Sequence, residues 1–189
     1  MVGKSSVRNP SLKKLFSFLL IALFFGHPIA NAEDENPLDT VVGLDLNRYV
    51  GVWHQIVYIP NRFQKMCEKD TRAKYEVLGD GRIKVVNSCR DADSNLHVAK
   101  GIARLNAAYR DPARLQVRFA PAWLSFLPFV WGDYWVLDID ADYNSVLVGS
   151  PDRQYLWLLA RSPELAKDRE IGLRQKASAL GFDVTKLSE

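Results

Sequence analysis

The chain has 189 residues, 48% hydrophobic and 25% charged, with 11 Gly, 9 Pro and two Cys. That balance excludes collagen-like, disordered and disulfide-dense classes and suits one or two globular domains. The formal net charge is +3, but residues 1–32 hold four basic residues (Lys4, Arg8, Lys13, Lys14) and no acid, which leaves 21 Lys and Arg against 22 Asp and Glu beyond them. A net −1 is no footprint for collecting phosphates, so a nucleic-acid partner is not expected.

The first element is N-terminal. Basic residues end at Lys14, an apolar run follows from Leu15 to Phe25, and Ala30-Asn31-Ala32 stands before Glu33. This is the layout of a secretory signal peptide with an A-x-A cleavage site; the run falls short of the ~20 residues a membrane span needs. The reading assigns 1–32 to the signal peptide, 33–44 to a loose leader and 45–189 to the folded domain. Export to the periplasm follows, with at most peripheral association with an outer membrane. The first cysteine is Cys67, so none stands at the cleavage site to carry a lipid.

Period-two hydrophobicity with regular turn signals then predicts eight strands, at 52–59, 71–78, 82–89, 97–105, 114–119, 134–140, 145–149 and 155–161. Gly79-Asp80-Gly81 marks a hairpin between the second and third. A helix follows, with Ser162 as its cap, Pro163 at its first position and Gly181 ending it. Its Leu173, Ala177 and Leu180 would lie on the sheet, while Lys167, Arg169 and Lys176 face water. The fold class is therefore all-β, an antiparallel sandwich or barrel with one late helix.

These elements carry a family resemblance. Asn47-Arg48-Tyr49-Val50-Gly51-Val52-Trp53 resembles the lipocalin opening motif, a G-x-W entering the first strand. Asp138-Ile139-Asp140 with Asp142-Tyr143 is similar to the second lipocalin motif, and Leu158-Leu159-Ala160-Arg161-Ser162-Pro163 to the third. The run from Tyr134 to Trp157 is similar to bacterial lipocalins related to outer-membrane Blc and to apolipoprotein D. The resemblance spans about residues 45–187 and implies an eight-stranded up-and-down antiparallel barrel with the helix packed outside.

In such a barrel the first strand starts where the eighth ends. Trp53 and Arg161 then become neighbours, a guanidinium over an indole worth roughly 0.5–2 kcal/mol, and with Gly51 they form a structural plug. Alternation places Trp53, Gln55, Val57 and Ile59 inside, with Leu159, Trp157 and Tyr155 opposite. Ala73, Tyr75, Val77, Ile83, Val85, Asn87, Leu115, Val117, Phe119, Tyr134 and Val136 complete the interior, and Gly101 and Ala103 keep space open. The ligand-binding set is Val57, Ile59, Tyr75, Val85, Asn87, Val117, Phe119, Tyr134, Val136, Tyr155 and Trp157. Eight strands sit at the border between a filled barrel and one that holds a ligand.

The connection after the fifth strand, residues 120–131, lies at the mouth and is rich in large apolar side chains without a charge. Trp123, Leu124, Phe126, Leu127, Phe129 and Trp131 would cover the opening, enter a lipid surface or pack on the rim. Cys67 and Cys89 are expected to pair, as is usual in an exported chain. Simple hairpin arithmetic puts Cys89 opposite about Arg72, so the connection holding Cys67 must fold back.

Catalytic signals are sparse. His54 is expected to face out, His97 begins a strand, and neither belongs to a metal-binding pattern. Asp138 and Asp140 suit a turn better than an acid–base pair. No metal or cofactor is expected. The resemblance implies a carrier that stores or transports a lipid-like ligand, a fatty acid or lysophospholipid, for membrane maintenance under stress. The alternative it leaves is a lipocalin-fold enzyme acting on a lipid or carotenoid-like substrate.

Overall fold

The computed structural model describes residues 38–189, so the expected signal peptide lies outside the described residues. The eight strands are β1 (Gly51–Tyr58), β2 (Lys69–Val77), β3 (Ile83–Arg90), β4 (Leu96–Leu105), β5 (Arg114–Arg118), β6 (Gly132–Ile139), β7 (Ser145–Gly149) and β8 (Leu156–Ala160). Each pairs antiparallel with the next, and β8 returns to β1 to close the barrel. Closure leaves no sheet edge to pair with another chain. A one-turn helix, α1 (Leu46–Tyr49), precedes β1, and α2 (Lys167–Ala179) follows β8.

The helix begins later than Ser162 predicts. Ser162 Oγ accepts from Glu164 N at 3.4 Å in a local turn, and α2 starts after Ala166, which gives no side-chain cap. Asp168 and Glu170 in the first turn oppose the positive end of the helix dipole instead. At the far end Gly181 takes φ +85°, and Phe182 N donates to Ala177 O at 3.1 Å, the left-handed stop that a glycine permits. Arg169 does not face water as expected: it is half-buried and reaches Asp138 Oδ1 at 2.6 Å and Ser145 Oγ at 2.8 Å.

The N-terminal part of the described chain is also tied down. Leu38 and Leu44 are buried and Val41 N donates to Val136 O at 3.0 Å, so from Leu38 onward the leader is part of the fold.

Two apolar cores result. One fills the closed end of the barrel with Trp53, Tyr75, Ile83, Val85, Leu115, Val136, Val146, Val148 and Leu159. The other lies between the outer wall and α2, built from Val57, Ile59, Leu137, Leu147, Leu156, Leu158, Leu173, Ala177 and Phe182. Val57 and Ile59 are thus corrected from the interior to the outside. The cause is a bulge: Gln55 pairs with Leu159 and Val57 with Leu158, so Ile56 is an extra residue that inverts the alternation beyond it. Leu137 is a second such residue, between Val136↔Val148 and Asp138↔Leu147. Val77 keeps the inward face of its partner Ile83, but at the end of β2 it has 41% of its surface exposed.

At the closed end Arg161 lies over the Trp53 ring, 3.8 Å from its centroid. Its guanidinium donates to Val52 O at 3.0 Å, Arg48 O at 2.7 Å, Tyr49 O at 3.1 Å and Tyr143 O at 3.2 Å. Trp53 is fully buried and its Nε1 donates to Tyr49 O at 2.8 Å. Gly51 has φ +106°, and an added Cβ would stand 3.0 Å from Arg161 Nη1, so only glycine suits this position. Trp53→Ala should lower unfolding free energy by about 3–5 kcal/mol, measured by urea titration; an unchanged midpoint would remove the plug from the account of stability.

Candidate ligand chamber

Cross-strand partners share a face, so the interior can be followed pair by pair. Tyr75↔Val85, Leu115↔Tyr134, Ala103↔Val117 and Val136↔Val148 line it, with Tyr58↔Trp157 on the other side. Of the proposed ligand set, Tyr75, Val85, Asn87, Val117, Tyr134, Val136 and Trp157 face inward, and Tyr155 stacks on Trp157 at 5.9 Å. Phe119 folds across Gly101: a Cβ on Gly101 would meet its ring at 2.8 Å. Gly101 therefore does not keep space open; its missing side chain is filled by that ring.

The lower interior ends in three tyrosines. The hydroxyls of Tyr49 and Tyr134 share a hydrogen bond at 2.6 Å, and those of Tyr75 and Tyr134 one at 3.0 Å. Tyr49 also stacks on Tyr75 with centroids 5.7 Å apart. Above this floor the lining becomes mixed. Gln64, on the 61–67 connection, donates from Nε2 to Gln55 Oε1 at 2.7 Å, and its Oε1 accepts from Trp157 Nε1 at 3.0 Å and Asn61 Nδ2 at 2.8 Å. Asn87 sits between Ala73 and Ala99, and its Oδ1 is buried with no partner among the described residues. Ala99 shares this face yet is exposed, so the upper interior opens to solvent.

Gln64 and Tyr58 escaped the sequence reading. Tyr58 is turned inward by the bulge at Ile56, and Gln64 lies on a loop without periodicity. The Asx turn after Pro60, where Phe63 N donates to Asn61 Oδ1 at 3.1 Å, was the available signal.

Cys67 and Cys89 form a disulfide with Cα atoms 5.5 Å apart. β2 begins earlier than predicted, with Lys69 opposite Arg90 and Arg72 opposite Ser88, and an irregularity between them at Asp70, φ +57°. That extension brings Cys67 back to β3 and fixes the connection that carries Gln64.

The mouth connection forms two 3-10 turns, Ala122–Leu124 and Pro128–Val130. Their period of three separates its side chains. Leu124, Leu127 and Val130 are half-buried, while Trp123, Phe126 and Phe129 are 73%, 76% and 79% exposed. Trp131 lies against the outer wall under Arg104, 3.7 Å from its centroid, and Arg118 at 5.2 Å. The connection is folded on its rim, with three aromatic side chains standing out from it.

A family model described as a lipocalin-like domain matches residues 44–189. The chain belongs to the lipocalin family. It is 38% identical to temperature-induced lipocalin-1 of Arabidopsis thaliana over 82% of each chain. To outer membrane lipoprotein Blc of Escherichia coli K12 it is 34% identical, over 78% of this chain and 79% of Blc. Mouse apolipoprotein D is 29% identical over 76% and 75%. Among solved structures, insecticyanin from the tobacco hornworm Manduca sexta superposes with a TM-score of 0.62 at 22% identity, covering 80% and 82% of the two chains.

The carboxylates of this lipocalin's second motif serve its architecture. Asp138 pairs with Arg169, and Asp140 accepts from Asp142 N at 3.0 Å, Asn144 N at 3.1 Å and Ser145 Oγ at 2.7 Å. Burial pushes the Asp140 carboxyl up, but these hydrogen bonds outweigh it and hold the group below its usual range. His54 pairs with outward-facing Ala160, and His97 meets Asp91 at 2.7 Å on the surface. Among the described residues no three His, Cys, Asp or Glu side chains gather as a metal site.

Burial pushes all three floor tyrosines up, Tyr75 to about 12. Above about pH 10 an unfolded tyrosine loses its proton while folded Tyr75 keeps it. The unfolded state then binds fewer protons, and stability falls as pH rises from about 10 toward 12. Tyr75→Phe removes this contribution, so the stability gap between wild type and variant should narrow over that range in urea titrations. A gap unchanged with pH would show that Tyr75 ionises as freely in the folded chain as in the unfolded one.

Proposed function

We propose that this lipocalin holds a fatty acid or lysophospholipid in its barrel and stores or transports it for membrane maintenance under stress. The observation that carries the reading is Asn87. Its amide oxygen is buried with no partner among the described residues, between Ala73 and Ala99 and beneath an opening to solvent. Leaving such an acceptor unpaired costs roughly 1–3 kcal/mol, which the glycerol hydroxyl of a lysophospholipid or the protonated carboxyl of a fatty acid would recover. The aliphatic and aromatic lining suits an acyl chain, and a few fixed polar groups orient the head, as in small-molecule sites generally. The names of two relatives, a temperature-induced lipocalin and an outer membrane lipoprotein, support the stress and membrane parts of the reading.

Binding without turnover is the mode we assign, since the carboxylates of the second motif are engaged by Arg169 and by the turn. Lipid extracted from the purified protein and identified by mass spectrometry would name the ligand, and a chemically altered product would point to catalysis. We assign the mature chain to the exported compartment. The exposed Trp123, Phe126 and Phe129 provide its reversible contact with membrane during loading.

Trp157→Ala removes an inward indole that Gln64 and Tyr155 hold in place. It should weaken binding of a fluorescent fatty acid by about 10-fold or more, at the 1.5–3 kcal/mol of a large apolar contact, in a barrel that remains folded. Equal affinity in a folded variant would remove this wall from the site. Replacing Trp123, Phe126 and Phe129 together by Ser should slow lipid pick-up from vesicles and leave affinity for monomeric ligand intact. Unaltered transfer rates would mean that the connection only packs on the rim.

A further inference from the structure

The outer wall beside the mouth connection carries a groove with basic residues in its lining. The groove, of about 340 Å³, is lined by Lys84, Lys100, Gly101, Ile102, Arg118, Ala120 and Ala122. It lies outside the barrel, because Lys84↔Ile102↔Arg118 is a cross-strand row one residue out of step with the inward row Val85↔Gly101. Arg118 is the unusual member. It is only 5% exposed, and it has no carboxylate partner among the described residues. Its Nη1 donates to Ala120 O, its guanidinium lies under Trp131, and its Nε is buried without a partner. Among the described residues Lys100 likewise has no ion pair, and Lys84 shares one carboxylate, Glu76, at 3.3 Å.

A buried guanidinium without a counter-ion is a costly arrangement that an incoming anion relieves. Two lysines at the rim add to the attraction, and the charge of Arg118 beneath the groove favours an anion there. The apolar side of the groove is supplied by Ile102, Ala120 and Ala122, and Trp123, the next residue, is 73% exposed. We propose that this groove binds the headgroup phosphate of an anionic phospholipid while the three exposed aromatic residues enter the same bilayer. The inference extends the membrane-loading reading above, and it locates an electrostatic contact that the −1 balance of residues 33–189 conceals. Affinity for the bilayer is then the sum of a salt-resistant apolar part and a salt-sensitive anionic part.

The test is co-sedimentation with vesicles of phosphatidylcholine alone and of phosphatidylcholine mixed with phosphatidylglycerol, at low and high salt. Wild type should prefer the anionic vesicles at low salt and lose that preference at high salt. K84Q/K100Q alters two exposed residues, so the barrel should fold, as its melting midpoint checks. The pair should cost about 25-fold in binding to anionic vesicles, about fivefold for each charge, with binding to neutral vesicles unchanged. K176Q/K186Q removes the same charge elsewhere and should keep the preference. The proposal is overturned if K84Q/K100Q retains the preference, or if K176Q/K186Q loses it equally. It is also overturned if inorganic phosphate shifts the Arg118 side-chain resonance while anionic vesicles gain nothing over neutral ones, because the groove would then take free phosphate. Failure of membrane loading is read separately, as absent binding to neutral vesicles together with unaltered transfer by the triple-Ser variant.

Discussion

The contact on which the barrel depends is the guanidinium of Arg161 over Trp53. One side chain at the end of β8 ties together α1, the start of β1 and the β6–β7 turn, by donating to carbonyls in all three. Two of those carbonyls, Arg48 O and Tyr49 O, belong to the last residues of a helix too short to satisfy them internally. A lysine could supply the charge but not the planar fork or the stack on the indole. The closed end is therefore settled by one residue whose hydrogen bonds, ring contact and proximity to Gly51 all require the same geometry.

Much of this could be read from the chain itself. Eight alternating segments, their turns and the three lipocalin motifs lead to the closed barrel, and topology alone brings Trp53 to Arg161. Alternation also places Tyr75, Val85, Val117 and Tyr134 inside, because the register is unbroken around each of their pairings. It fails at Val57 and Ile59. A bulge is one residue of excess between two paired strands, so it depends on the partner and leaves no mark on the hydrophobic pattern of β1 itself. Its effect is to turn two aliphatic residues toward α2, where Leu173 and Ala177 need an apolar surface. Gln64 and the 3-10 period of the mouth connection were hidden for a similar reason: loop geometry is decided by turn chemistry and by what the loop packs on.

Charge shows the same dependence on placement. A near-neutral composition is compatible with a concentrated basic face, because a barrel sorts residues by parity and by strand pairing. Lys74, Lys84, Lys100, Arg104 and Arg118 come from four strands that alternate between two faces, and the pairing collects them on the outside. The −1 of residues 33–189 describes how that part of the chain behaves at a distance; at the scale of a headgroup, the local arrangement decides.

The tyrosine floor has a property that its heavy atoms do not display. Three hydroxyls bring three protons, but the chain Tyr49–Tyr134–Tyr75 contains only two hydrogen bonds. Each contact can be donated in either direction, so the protons have more than one allowed order and one O–H is always left over from the trio. The base of the barrel can thus present either a donor or a lone pair by rotating hydroxyls about their C–O bonds, with no ring displaced. A close-packed floor can in this way adapt its polarity without changing its shape.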